Sequence, residues 1–236
     1  MNDINRIKIY ADGADIESFI KFKDNNIVKG FTTNPSLMRQ AGIKNYKNFA
    51  LEVLDIIKDK EISFEVFADD LNEMEDQARE ISSWGKNIAI KIPITNTKSE
   101  DTTNIVSNLT SDNIKCNVTA VFTRKQWNLL KEKNNNDAKL IVSIFAGRIA
   151  DTGINPELFI KEAVDDFKDF KNTEILWASP REIFNLFQAI NCGCHIITLP
   201  NSLLNKLELQ SKDLTEYSLE TVKMFYEDAV KSGFKI

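Results

Sequence analysis

One lysine in this chain keeps company that ammonium groups normally avoid. Lys91 stands in Asn87-Ile88-Ala89-Ile90-Lys91-Ile92-Pro93-Ile94, with isoleucine on either side. A strand of that composition is covered on both faces, so a lysine within it gives up hydration. Desolvation favours the neutral form of an amine, and a neutral amine is the nucleophile that condenses with a ketone to form a Schiff base. Taken alone, the strand is equally compatible with a lysine that reaches the rim or pairs with a carboxylate. Asp12 and Glu65 shift that balance. The first closes the run 7–12, and the second interrupts Ser63-Phe64-Glu65-Val66-Phe67-Ala68. An Asp at a strand end is as often a helix cap as a catalyst. Two acids and an amine at matching depth, however, supply what proton transfer and carbonyl chemistry need.

Neutral hydrogen-bonding groups recur late in other apolar runs: Asn34, Asn117, Thr119 and Ser143. They suit sugar hydroxyls and a water. Two arginines follow two further runs, Arg148 in Phe145-Ala146-Gly147-Arg148 and Arg181 in Ala178-Ser179-Pro180-Arg181. Pro180 is expected to start a helix, so Arg181 and Ser179 beside that amino terminus form a phosphate seat. Surface ion pairs are the alternative for either arginine, and two arginines at adjacent strand ends weaken it. Cys192-Gly193-Cys194-His195 has no second ligand cluster at zinc spacing, and alternation sends His195 away from the cysteines. Packing is the expected role, with no metal.

These groups need a frame that gathers strand ends at one place. Eight apolar runs, at 7–12, 28–34, 63–68, 87–93, 115–122, 140–147, 174–179 and 195–200, alternate with segments of helical period. The helices are expected at 16–23, 46–58, 72–84, 103–111, 124–133, 156–170 and 180–191, with a last one near 219–231. Eight such repeats close into an α/β fold, a (β/α)8 TIM barrel, whose site lies at the carboxyl ends of the strands. One domain over 1–236 is expected, with a carboxy-terminal helical segment from about 202.

The 30 Lys and Arg against 35 Asp and Glu give a net charge of −5, which leaves no broad basic surface for nucleic acid or an anionic membrane. No apolar stretch approaches the ~20 residues needed to span a bilayer, and no signal-like segment opens the chain, so a cytoplasmic location is expected. The odd count of three cysteines fits reduced thiols.

The motifs Gly30-Phe31-Thr32-Thr33-Asn34-Pro35-Ser36-Leu37, Lys91-Ile92-Pro93, Asn117-Val118-Thr119, Ser143-Ile144-Phe145-Ala146-Gly147-Arg148 and Ala178-Ser179-Pro180-Arg181-Glu182 occur in that order. Together they resemble the signatures of the transaldolase family, over about 10–200, in its small subclass that includes the fructose-6-phosphate aldolases. The resemblance implies that Lys91 forms the Schiff base and Asp12 handles the sugar hydroxyl during cleavage, while Glu65 and Thr119 hold a proton-shuttling water. It places Thr32, Asn34, Asn117, Ser143 and Phe145 around the substrate, and Arg148, Ser179 and Arg181 at its phosphate. It implies no cofactor. It also implies transfer of a dihydroxyacetone unit from a ketose phosphate such as fructose 6-phosphate to an aldose phosphate, in carbohydrate metabolism of the pentose phosphate type. A homo-oligomer is expected, a decamer or pentamer, with a dimer as the alternative. The aldolase branch typically carries Gln where Glu65 stands and Tyr where Phe145 stands, so this chain follows the transaldolase pattern at both. Three rival readings are simple aldol cleavage, a barrel that only binds sugar phosphates, and an isomerase using Lys91 as a plain base.

Overall fold

The computed structural model describes residues 4–236, so the first three residues of the expected 1–236 span lie outside the described residues. Eight parallel strands form a closed barrel in sequence order. They are β1 (Lys8–Asp12), β2 (Val28–Thr32), β3 (Glu61–Glu65), β4 (Ile88–Pro93), β5 (Cys116–Val121), β6 (Leu140–Ile144), β7 (Thr173–Trp177) and β8 (Ile196–Pro200). The ring closes where β1 pairs with β8, Lys8 opposite Ile196 through Asp12 opposite Pro200. This is the expected (β/α)8 barrel.

The helices outside the strands bury one stripe each. Phe49, Ala50, Val53 and Leu54 of Tyr46–Ile56 are buried, as are Met74, Ala78 and Ile81 of Leu71–Ser82. Such three- and four-residue steps put apolar side chains over the sheet and charges in water. Asp70 starts the second of these helices by accepting from the amides of Asn72 and Glu73. Inside the barrel, Tyr10, Ile141, Leu176, Ala178 and Ile196 form a buried cluster with Phe145 packed against it. Gly30 makes room for that cluster. It lies opposite Tyr10 in register, and a β-carbon there would fall 2.6 Å from the Tyr10 ring.

Three boundaries differ from expectation in ways that matter for the site. The run expected to extend to 147 stops at Ile144, because Phe145 turns the chain into a short helix, Ala146–Asp151. A second short helix, Pro35–Gln40, follows β2, capped by the Asn34 side chain accepting from the Leu37 amide at 3.0 Å. The helix expected to begin at Pro180 begins at Phe184 instead. Asn185 Oδ1 takes the amides of Arg181 and Glu182 at 2.7 and 3.2 Å, holding that stretch as a non-helical turn.

The chain falls into two compact units, one reaching Leu204 and a second of Asn205–Ile236. The second holds the helix Leu214–Ser232, started by Asp213, which accepts from the amides of Thr215 and Glu216, and ended by Gly233 in the left-handed region. None of its residues is buried. No helix among the described residues is long and apolar enough to cross a membrane.

Candidate active site

Strand register assembles the centre of the site. Glu65 of β3 lies opposite Lys91 of β4, and Lys91 lies opposite Asn117 of β5. Neighbours in a parallel register point to the same face, so three polar side chains meet inside the barrel while Ile90 and Ile92 are fully buried beside them. Lys91 is 7 % exposed. Its Nζ donates to the Thr33 carbonyl at 2.9 Å and stands 3.1 Å from Glu65 Oε2. These two contacts hold the amine in a single place.

Lys91 ends at a cavity of about 140 Å³ at the carboxyl ends of the strands. Asp12, Thr32 and Asn34 line it on one side, Thr119 and Ser143 on another, and Phe145, Arg148 and Ser179 at its rim. Burial pushes the Asp12 carboxyl above the usual range, against the opposing pull of the Lys91 charge and the Thr32 hydroxyl. Thr32 Oγ1 donates to Asp12 Oδ1 at 2.7 Å and lies 2.5 Å from Thr198 Oγ1. A hydroxyl has one proton; Thr32 spends it on Asp12, so Thr198 supplies the proton of the second contact.

Two backbone irregularities aim the remaining groups. The β5–β6 register shifts between Val118 and Val121, and Ala120 there takes a positive φ of 57°. This bulge carries Thr119, whose hydroxyl is buried at the cavity without a partner among the described residues. Ser179 also sits in the left-handed region, at φ 59°. Strain at a non-glycine residue beside a cavity is held in place by its surroundings. Gly147 provides those surroundings: a β-carbon on it would fall 1.5 Å from the Ser179 carbonyl oxygen. The loops after β6 and β7 are thereby pressed together, and Arg148 reaches the rim beside Ser179, its guanidinium 5.4 Å above the Phe145 ring.

Asn117 and Arg181 do not reach the cavity. Asn117 is fully buried, donating to Ser63 Oγ at 3.0 Å and accepting from Ser143 Oγ at 2.6 Å. It holds Ser143 in place from behind. Arg181 makes a two-pronged pair with Asp151, both side chains half exposed. With no helix at Pro180, that arginine lacks the amino terminus expected beside it. Glu65 touches the site through Lys91. The sequence reading missed Thr198, although it is a hydroxyl in the apolar run Ile196-Ile197-Thr198-Leu199, the same signal that marked Ser143.

His195 accepts the Ile175 amide on Nδ1, and Cys116, Cys192 and Cys194 are buried free thiols. Among the described residues, no group of three or more His, Cys, Asp or Glu could hold a metal ion.

The sequence matches the family described as Transaldolase/Fructose-6-phosphate aldolase over residues 9–236. The chain belongs to that family. Among its transaldolase relatives, one from Nitrosopumilus maritimus named probable transaldolase is 37% identical over 217 residues, 91% of this chain and 92% of its own length. Another of that name, from a Thermoanaerobacter species, is 33% identical and covers 98% of this chain and 100% of its own. More distant structures share the fold alone. Orotidine 5'-monophosphate decarboxylase of Metallosphaera sedula superposes with a TM-score of 0.53 at 14% identity, covering 92% of this chain and 97% of its own. N-acetylneuraminate lyase of Mycoplasma synoviae gives 0.54 at 11%, over 97% and 84%. Membership in the Transaldolase/Fructose-6-phosphate aldolase family, with relatives named probable transaldolase matched over nearly their whole length, makes this a transaldolase-type enzyme.

Proposed function

We propose that the protein is a Schiff-base transaldolase of the cytoplasm that moves a dihydroxyacetone unit from a ketose phosphate such as fructose 6-phosphate to an aldose phosphate. The observation that carries this reading is a buried amine, Lys91, held 3.1 Å from Glu65 at the end of a cavity that Asp12 also lines. Nζ adds to the ketose carbonyl, and its proton passes to Glu65. The carbinolamine loses its hydroxyl as water, leaving a protonated imine. A water bridging Glu65 and the unpartnered Thr119 hydroxyl carries the protons of that step.

Asp12 then takes the proton of the hydroxyl on the carbon to be released. The carbon–carbon bond breaks, its electron pair flows into the imine, and an aldose phosphate leaves. The three-carbon enamine stays on Lys91 until an acceptor aldehyde takes it, the steps running in reverse and Asp12 returning its proton. Asn34 has its side-chain oxygen committed to the Leu37 amide, so its amide group is the part that can donate to a substrate hydroxyl. Arg148 and Ser179 take the phosphate, and Arg181 joins them only by exchanging Asp151 for substrate. Phe145 at the rim offers no phenol to protonate the enamine, which favours transfer over release.

The test is intact mass after incubation with fructose 6-phosphate and borohydride, beside Lys91→Met. Reduction freezes any imine, and a three-carbon adduct on the wild type alone is the expected result. A whole-sugar adduct would mean imine formation without cleavage. No adduct with any ketose phosphate would sink the Schiff-base reading and leave a barrel that only binds its ligand.

A further inference from the structure

A second cavity, of about 550 Å³, opens at the other end of the barrel. Its lining residues stand at the amino ends of strands: Lys8 and Thr173 open β1 and β7, while Lys115, Lys139 and His195 directly precede β5, β6 and β8. Lys168 and Lys171 complete the wall. Five lysines thus face one space in a chain whose net charge is −5.

Carboxylates answer only part of that charge. Lys8 lies 2.6 Å from Glu174, and Lys115 lies 2.7 Å from Glu61 and 3.2 Å from Glu174. Lys139, Lys168 and Lys171 have no carboxylate partner among the described residues, and all three are exposed. Like charges gathered around one cavity repel one another unless an anion sits between them.

Two neutral groups separate this cavity from a diffuse patch of surface lysines. Thr173 is 5 % exposed, and its hydroxyl is buried with no hydrogen-bond partner among the described residues. A buried hydroxyl left unpaired is costly, so a group that accepts from it or donates to it is favoured there. His195 accepts the Ile175 amide on Nδ1 at 2.9 Å, which leaves Nε2 to carry the proton of the neutral ring as a second donor. The buried rings of Phe167 and Phe170 add an apolar wall, against which charge is less screened.

We propose that this amino-terminal cavity is a binding site for a small polyanion, a molecule carrying two or more phosphate groups, distinct from the substrate's phosphate seat at Arg148. Three uncompensated lysines match a ligand of charge about −3, and the volume is that of a small-molecule site rather than a macromolecular face. The site stands apart from the catalytic reading and survives if that reading fails.

Calorimetric titration of the full chain with inorganic pyrophosphate at low ionic strength tests it. The comparison set is Arg148→Ala, Thr173→Val and the triple variant Lys139→Glu/Lys168→Glu/Lys171→Glu, whose three sites are exposed and whose fold circular dichroism verifies. One equivalent should still bind to Arg148→Ala, in which the other phosphate seat is removed, with the affinity of this cavity in the wild type. The triple variant should lose about tenfold or more in affinity, and Thr173→Val roughly fivefold. No saturable binding to the wild type, or a loss that follows Arg148→Ala while the triple variant binds normally, would overturn the site. Wild-type affinity in Thr173→Val would mean that the lysines act as a diffuse patch, and would overturn it equally.

Discussion

Replacing Lys91 by Met keeps most of the side-chain stem and deletes one charge in a place where charge is expensive. Nζ lies 3.1 Å from Glu65 Oε2, a separation worth about 5 kcal/mol of attraction at an effective dielectric near 20. The wild type sets that attraction against the desolvation of both ions. The variant keeps the desolvation of Glu65, whose side chain is only 16 % exposed, without the attraction. Breaking a buried pair from one side costs about 3–5 kcal/mol, and the Thr33 carbonyl loses its donor as well. Asp12 offsets a little. Without the lysine charge its carboxyl moves further up and more readily holds a proton, so it adds no second unpaired charge. The expected outcome is a loss of about 3 kcal/mol in urea unfolding at neutral pH, of which Glu65→Gln in the same background restores about 2. The double-mutant cycle separates the pair from packing. A Lys91→Met protein as stable as the wild type, or one that Glu65→Gln fails to rescue, would refute the view of Lys91 and Glu65 as a coupled buried pair.

Asp12→Asn should abolish transfer, by about a hundredfold or more in kcat, yet stabilise the fold. The Asp12 carboxyl is raised by burial, so the folded chain binds its proton more tightly than the unfolded chain, and stability present in acid is lost as pH rises past the ordinary carboxylate range. Melting curves from about pH 4 to pH 8 should show the variant's advantage growing with pH; a constant difference would contradict the raised value. Gly147→Ala should cost several kcal/mol or open the contact between the loops after β6 and β7, because its new carbon meets a backbone oxygen that cannot step aside. If it folds, KM for a phosphorylated donor should rise more than kcat falls, as steady-state kinetics would show. Thr119→Val removes a hydroxyl with no partner among the described residues, so Tm should stay within a degree or two of wild type while single-turnover imine formation slows. A large drop in Tm would mean that the hydroxyl has a structural role.

The barrel was legible because periodicity does not depend on atomic detail. Eight β-rich runs and the helices between them can be read from burial alone, and Lys91 stood out because an ammonium among isoleucines contradicts that pattern. Boundaries were less legible where side chains override it. Phe145 looks like strand by composition, yet the chain turns there into the helix Ala146–Asp151. Pro180 looks like a helix start, but the Asn185 side chain captures the amides that a helix would have begun with. Asn117 and Arg181 are instructive for the same reason. Depth along a strand can be counted from sequence, whereas whether a polar group turns toward the cavity, toward a buried serine or toward a surface aspartate depends on partners far away in the chain. Thr198 gave a signal as clear as that of Ser143, and its importance appears only once Thr32 stands next to it.

The pairing of β3, β4 and β5 ties two demands to one variable. Ile90 and Ile92 must face the surrounding helices for the barrel to close, and because side chains alternate along a strand, that requirement alone turns Lys91 inward to meet Glu65 and Asn117. A slip of one residue would put an isoleucine where the amine stands and an amine where the helices pack, so a chain that misplaces its nucleophile is also one that fails to fold. The fold therefore proofreads the site: a molecule that survives as a closed barrel already has its lysine in place.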